Sequence, residues 1–304
     1  MKTSDTNLDI INVYHTTVLL EEAVENLVVK PGGTYLDATF GGGGHTRKLL
    51  TSDPTCRVIA LDWDKEAIKH NAPALTEEFG KRFIPEWGNF ANCYKLLKKH
   101  GITKIDGALA DFGTSAFQIK HEDGFSFNND TPLDMRMSKG HHYFNAAYVV
   151  NRFTQNQIAD IIYKYGEDTM SRKIAAAIVD ARTAGTYFAT TKQLADLIQK
   201  LVPVRGYQRI HPATKTFQAL RIFVNKELEN IEIYLKNVLS MIKPGGRLVC
   251  ISFHSLEDRI VKDFFRDHPD ALEIITRKPL SPSEEEVLRN RASRSAKMRV
   301  AQKR

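Results

Sequence analysis

Thr34-Tyr35-Leu36-Asp37-Ala38-Thr39-Phe40-Gly41-Gly42-Gly43-Gly44-His45 runs from an apolar, β-rich stretch into consecutive glycines and then into a helical pattern. Glycines at that junction let the backbone turn sharply and approach a ligand with no Cβ in the way. Asp62 ends the next β-rich run, about one βαβ half-unit later. A carboxylate placed there can accept hydrogen bonds from both ribose hydroxyls of an adenosine. Either feature alone is also met in a loop beside a surface acid. The two together, each at the C-terminal edge of a strand, point to a nucleoside cofactor.

The same alternation continues outward. Residues 34–39, 57–62, 82–85 and 107–111 read as strands, with helical stretches at 46–50, 65–71 and 92–100 between them. Strand, helix, strand at this spacing implies an α/β fold with a doubly wound, Rossmann-like parallel sheet. A fifth strand, 246–253, comes only after a long interval and is preceded by the turn Pro244-Gly245-Gly246. The interval carries capping boxes at Thr154-Gln155-Asn156-Gln157 and Thr190-Thr191-Lys192-Gln193, each leading into apolar residues at helical spacing. Residues 128–211 therefore read as an all-helical insertion, leaving 1–127 and 212–304 as the sheet domain. A single longer helix bearing Phe217, Leu220, Val224, Leu228, Ile231 and Leu235 on one face is expected to return the chain to the sheet.

Charge distinguishes between cofactors. A dinucleotide fold needs G-x-G-x-x-G to seat a pyrophosphate on a helix N-terminus, whereas the frame Gly41-Gly42-Gly43-Gly44-His45-Thr46 ends in Thr. Asp37 would also repel a pyrophosphate, which argues against an NAD-dependent dehydrogenase. The absence of any G-K-[ST] string excludes a P-loop. S-adenosylmethionine carries an ammonium and a sulfonium and no phosphate, so the loop favours that donor. Phe90 and Trp87, after the third expected strand, could each stack on adenine or fill the core.

The reactive end of a ligand in such a sheet lies beyond the strand C-termini, near the reversal of strand order. The fourth strand ends in Asp111-Phe112-Gly113-Thr114-Ser115, with Gln118 behind it. Asp111 could orient the methionine ammonium or a target amine, and Gln118 could meet a base edge. No cysteine falls on this edge, so carbon-5 methylation through a cysteine adduct is disfavoured; an exocyclic nitrogen or a ribose oxygen remains. His254, in Ser252-Phe253-His254-Ser255-Leu256-Glu257, could take the departing proton or be a structural histidine.

The chain has 304 residues, 42% of them apolar and 26% charged, with a net charge of +7, which suits a soluble protein with a polyanionic partner. From 197 to 226 there is no Asp or Glu, yet Lys200, Arg205, Arg209, Lys215, Arg221 and Lys226 occur; after Glu286 the tail is again basic and acid-free. Arg136, Arg205, Arg209, His211 and Lys215 are the candidate RNA contacts. Cys56, Cys93 and Cys250 lack metal-ligand spacing and are expected as reduced core thiols; no metal is expected. A polar start and no bilayer-length apolar run lead to a cytoplasmic expectation without membrane association.

With these segments laid out, the chain resembles the RsmH/MraW family of 16S rRNA (cytosine-N4)-methyltransferases over nearly its whole length. The strings that carry the resemblance include Tyr14-His15-Thr16-Thr17-Val18-Leu19-Leu20, the 37–45 loop, Gly124-Phe125-Ser126-Phe127 and Pro132-Leu133-Asp134-Met135-Arg136-Met137. Others are Tyr165-Gly166-Glu167, His211-Pro212-Ala213-Thr214, Thr216-Phe217-Gln218-Ala219-Leu220-Arg221 and the segment 251–259. The resemblance implies a class I methyltransferase fold with an inserted substrate domain. It further implies the N4 amine of a decoding-centre cytosine in the small ribosomal subunit as target. Asp37, Gly41, Gly43, Gly44, His45, Asp62, Phe90, Asp111 and Gln118 then make up the S-adenosylmethionine site, with Asp111 and His254 as the catalytic candidates. The family's D-L-G-V-S-S-P-Q reads here Asp111-Phe112-Gly113-Thr114-Ser115-Ala116-Phe117-Gln118. The competing reading is an RNA-binding ribosome assembly factor with a non-catalytic cofactor pocket; a homodimer is compatible with either.

Overall fold

The computed structural model describes residues 17–113, 123–140, 143–201 and 211–304. The chain splits into two compact units, Met1–Ala116 with Leu228–Arg304, and Phe117–Glu227.

The first unit is built on a seven-stranded sheet: β1 (Thr34–Asp37), β2 (Arg57–Asp62), β3 (Phe83–Trp87), β4 (Ile105–Asp111), β5 (Ile242–Ser252), β6 (Leu272–Ile274) and β7 (Lys297–Lys303). The strand order is β3-β2-β1-β4-β5-β7-β6. The first five are parallel, while β7 runs antiparallel to both β5 and β6. This order, with its single reversed strand, is the class I methyltransferase fold. Helix α1 (Leu20–Leu27) precedes β1, and α2 (Gly44–Ser52), α3 (Lys65–Phe79) and α4 (Cys93–Lys99) come between the first four strands. Side chains alternate across the sheet, so successive residues feed opposite cores. Leu36, Ile59, Leu61, Ala108, Ala110, Leu248 and Cys250 pack on one face. Tyr35, Val58, Ala60, Leu109, Val249 and Ile251 pack on the other.

The second unit is helical, with α5 (Ala146–Arg152), α6 (Gln155–Gly166), α7 (Ser171–Thr183), α8 (Thr191–Leu201) and α9 (Thr214–Asn225) around a core of its own. The expected division at 128–211 gives way to one that includes α9, because Phe217, Ala219, Leu220 and Val224 join that core rather than the sheet's. The single long helix is likewise two. Lys226, at φ 51°, breaks it in the left-handed conformation, and α10 (Glu227–Met241) sends Ile231 and Leu235 into the sheet unit. The Thr154 capping box forms with both arms. At Thr190 only one arm forms: Gln193 accepts from the Thr190 N–H at 3.1 Å, but the Thr190 hydroxyl is buried without a partner among the described residues.

Pro244-Gly245-Gly246 does not precede a strand but lies inside β5, where the pairing with β4 slips between Ile105↔Ile242 and Gly107↔Arg247. The basic tail divides in two: Arg289, Arg291 and Arg294 are exposed, whereas residues 297–303 form the strand between β5 and β6. On it Arg299 is buried, and its guanidinium donates to both Asp258 oxygens at 2.6 and 3.0 Å. Asp258 lies on α11 (Ser255–Arg266), and α12 (Glu284–Arg289) completes the helices. Among the described residues no helix is long and apolar enough to cross a membrane.

Removing one partner from a buried, bidentate pair leaves an uncompensated charge in the protein interior. Arg299→Ala is therefore expected to lower unfolding free energy by about 3 kcal/mol in urea denaturation; an unchanged midpoint would show that the pair contributes nothing.

Candidate active site

β1 and β4 are neighbours, and between them the strand order reverses. Their C-terminal residues are Asp37 and Asp111, and β2 ends on Asp62, so three carboxylates arrive at one edge of the sheet.

Each carboxylate has a different environment. Asp37 is fully buried and accepts from the Thr46 hydroxyl at 2.6 Å and from the Thr39 N–H at 3.2 Å. Burial nevertheless pushes its pKa up to about 6. Asp62 accepts from the N–H groups of Gly41 at 2.7 Å and Asp64 at 2.8 Å, one on each oxygen. Burial raises it to about 7, against the lowering effect of those two bonds. Asp111 is the least compensated. Its Oδ1 is buried with no hydrogen-bond partner among the described residues. Burial first, and the charges of Asp37 and Glu257 next, hold it well above the usual carboxylate range.

The glycine loop is pinned to this cluster. Phe40 donates to the Leu61 carbonyl at 2.7 Å, and the Asn71 amide donates to the Gly41 carbonyl at 2.9 Å. Gly41 and Gly43 both have positive φ, 51° and 79°, and a Cβ on Gly43 would sit 3.0 Å from the Phe40 ring. A Cβ on Gly44 would fall 1.9 Å from the Thr17 hydroxyl, so α2 can begin here only on glycine. His45 is buried with its ring Nε2 3.1 Å from the Val18 carbonyl.

Of the two aromatic candidates, Phe90 is half-buried and packs against Phe112 at 5.7 Å and Tyr234 at 5.6 Å between ring centroids. Trp87 is 42% exposed, pairs in register with Asp62, and donates its Nε1–H to the Trp63 carbonyl at 3.0 Å. His254 caps α11. Its Nδ1 accepts from the Glu257 N–H at 3.4 Å, while Nε2 lies 3.2 Å from the buried Glu257 carboxylate. Burial pushes the Cys93 thiol up to about 12 and Cys250 further still.

The RNA candidates are placed unevenly. Arg136 makes a bidentate pair with Asp134, at 2.6 and 2.9 Å. His211 stacks on Phe127 with centroids 4.6 Å apart and accepts from the Ala213 N–H. Lys215 donates to the Glu167 carbonyl at 3.1 Å. Gln118, Arg205, Arg209 and the altered 114–117 segment lie outside the described residues. Sequence reading missed Thr39, Thr46 and Asn71, whose roles come from contacts across the fold and leave no spacing signal.

Residues 12–304 match the model of the MraW methylase family. The chain belongs to that family. A protein of Carboxydothermus hydrogenoformans named ribosomal RNA small subunit methyltransferase H is 45% identical, over 95% of this chain and 97% of its own. A protein of the same name from Neorickettsia sennetsu is 47% identical over 96% of each. Among solved structures, an rRNA methylase from Streptococcus thermophilus aligns at 10% identity and a TM-score of 0.46, over 95% of this chain and 98% of its own.

As an MraW methylase, the protein takes its methyl group from S-adenosylmethionine. The site fits that donor: a buried carboxylate oxygen without a donor suits a ligand ammonium, and a hydrogen-bonded acid at the end of β2 suits a ribose. Asp37 and Asp62 are near pKa 3.9 in an unfolded chain and at about 6 and 7 here. The folded state thus binds more protons than the unfolded one across that interval, and these groups' contribution to stability is lost as pH rises through it. The ligand-free protein is expected to show a higher urea midpoint at pH 5 than at pH 8, with a shallower dependence in Asp62→Asn. An identical pH slope in that variant would contradict the assignment.

Proposed function

We propose that the protein transfers the methyl group to the N4 amine of a decoding-centre cytosine in 16S rRNA, acting in the cytoplasm on the small ribosomal subunit. The observation that carries the donor half of this reading is the buried Asp111 oxygen, without a hydrogen-bond partner among the described residues, at the reversal point of the sheet. The relatives named for small-subunit rRNA supply the substrate half.

When bound, the donor supplies a methyl group on a positively charged sulfur. Asp111 accepts from its ammonium and Asp62 from its ribose hydroxyls. Gly41, Gly43 and Gly44 let the loop backbone approach closely, and Phe90 or Trp87 covers the adenine. The deeply buried, protonated thiols cannot form a pyrimidine adduct, which favours direct attack by an amine. An exocyclic amine sheds one proton as its new N–C bond forms. His254 is the candidate acceptor: its neutral ring has the free lone pair on Nδ1, which takes the proton in place of the Glu257 N–H bond, and the Glu257 carboxylate beside Nε2 stabilises the charged ring. A paired cytosine cannot present its amine to a donor, so the base must be unpaired or flipped out. Arg136, Arg205, Arg209, His211 and Lys215 on the helical insert hold the surrounding RNA.

Mass spectrometry of nucleosides from 16S rRNA tests this directly. Deleting the gene is expected to remove an N4-methylated cytidine, restored by the wild-type gene but not by Asp62→Ala. An unchanged nucleoside profile would contradict the proposal and favour an assembly factor.

A further inference from the structure

The helical unit carries an exposed group of aromatic rings that none of the roles above uses. Tyr143, Phe144 and Tyr148 are 94%, 37% and 44% exposed. Asn145 caps α5 by accepting from the Tyr148 N–H at 2.8 Å, and this cap brings the residues on either side of it together. Phe144 and Tyr148 lie nearly parallel, 21° apart with centroids at 4.6 Å, and Tyr143 stands edge-on to Phe144 at 5.3 Å. The group is anchored from below. Phe153 meets Phe144 at 6.1 Å and Tyr148 at 6.3 Å, and itself packs on Phe223 of α9 at 5.8 Å. The rings are therefore held in place while their outer faces remain in solvent.

The surrounding charge identifies the occupant. From 135 to 159 the sequence has no Asp or Glu, but it has Arg136, Lys139 and Arg152. Arg152 is exposed and lies one helical turn beyond Tyr148. Between 143 and 159 every exposed large apolar side chain is aromatic, and the valines, Val149 and Val150, are buried. Exposed planar rings beside the exposed Arg152 match stacked bases on a phosphate backbone, while Arg136 is held by Asp134 and Lys139 lies 3.8 Å from the Asp123 carboxylate.

We propose that Tyr143, Phe144 and Tyr148 form a stacking platform for unpaired bases of single-stranded RNA, with Arg152 and Lys139 meeting the adjoining phosphates. This rests on the reading of RNA as the substrate and adds to it a contact surface on the insert. Tyr143 is almost wholly solvated and Tyr148 nearly half so, and neither belongs to the helical core, so replacing them should leave the fold intact.

The test compares Tyr143→Ala/Tyr148→Ala with Tyr143→Phe/Tyr148→Phe in the full-length protein. Fluorescence anisotropy reads binding of a short, labelled single-stranded RNA and of an RNA duplex of equal length. The alanine variant should bind the single strand about ten-fold more weakly or worse, with duplex affinity, melting temperature and S-adenosylmethionine affinity unchanged. The phenylalanine variant should match wild type. Retained single-strand affinity in the alanine variant, or an equal loss on the duplex, would overturn the platform. So would a drop in solution mass with RNA affinity intact, which would assign the rings to a second copy of the chain. Methyl transfer to small-subunit particles by the wild-type protein is measured alongside. Transfer without ring-dependent binding removes the platform alone, whereas ring-dependent binding without transfer removes the catalytic reading alone.

Discussion

Three carboxylates at the C-terminal edge of one parallel sheet are the constraint around which the sheet unit is arranged. Burial disfavours their charged forms, and each is answered differently. Asp37 is held by Thr46 and Thr39 within the fold, so it ties α2 to the end of β1. Asp62 takes the Gly41 and Asp64 N–H groups, fixing the glycine loop against β2. Asp111 keeps a buried oxygen without a donor among the described residues. Two acids thus build the loop, and the third, in the proposed function, receives the donor's cation.

The remainder of that unit keeps this edge rigid. Strands β1, β2 and β4 are buried on both faces between two cores, and β5 and β7 extend the sheet on the side where α11 begins. The Asp258–Arg299 pair joins that helix to β7. His254 and Glu257 cap the same helix from within its first turn. The helical unit has a separate core and its own local anchors, among them Met135 in the left-handed conformation, with Asn225 bonding both Met135 and Met137. That loop carries the Asp134–Arg136 pair on a backbone that is itself fixed.

Where the information was local, the sequence was readable. Alternating apolar runs placed β1 to β5 within a few residues, and the Thr154 box marked the start of α6. The glycine loop and Asp62 stand together at the C-terminal edge of the sheet, as their spacing implied. What escaped was set by partners distant in the chain. β7 reads as a charged tail because Lys297, Arg299 and Lys303 break its apolar pattern, yet Arg299 is buried by Asp258, forty-one residues away. A continuous apolar face made α9 and α10 look like one helix, since periodicity does not report that its two halves enter different cores. His45 follows the glycines by position, and its Nε2 lies against the Val18 carbonyl, a contact with no spacing signal. Thr39, Thr46 and Asn71 could not be ranked from residue type at all.

The central claim is that buried acids at this edge surrender protons when a cationic donor binds. Calorimetric titration of S-adenosylmethionine into the protein near neutral pH, repeated in buffers of different ionisation enthalpy, measures that exchange. The account predicts net proton release on binding, as Asp62, held up to about 7 in the ligand-free protein, becomes fully ionised. No proton exchange, or net uptake, would contradict it.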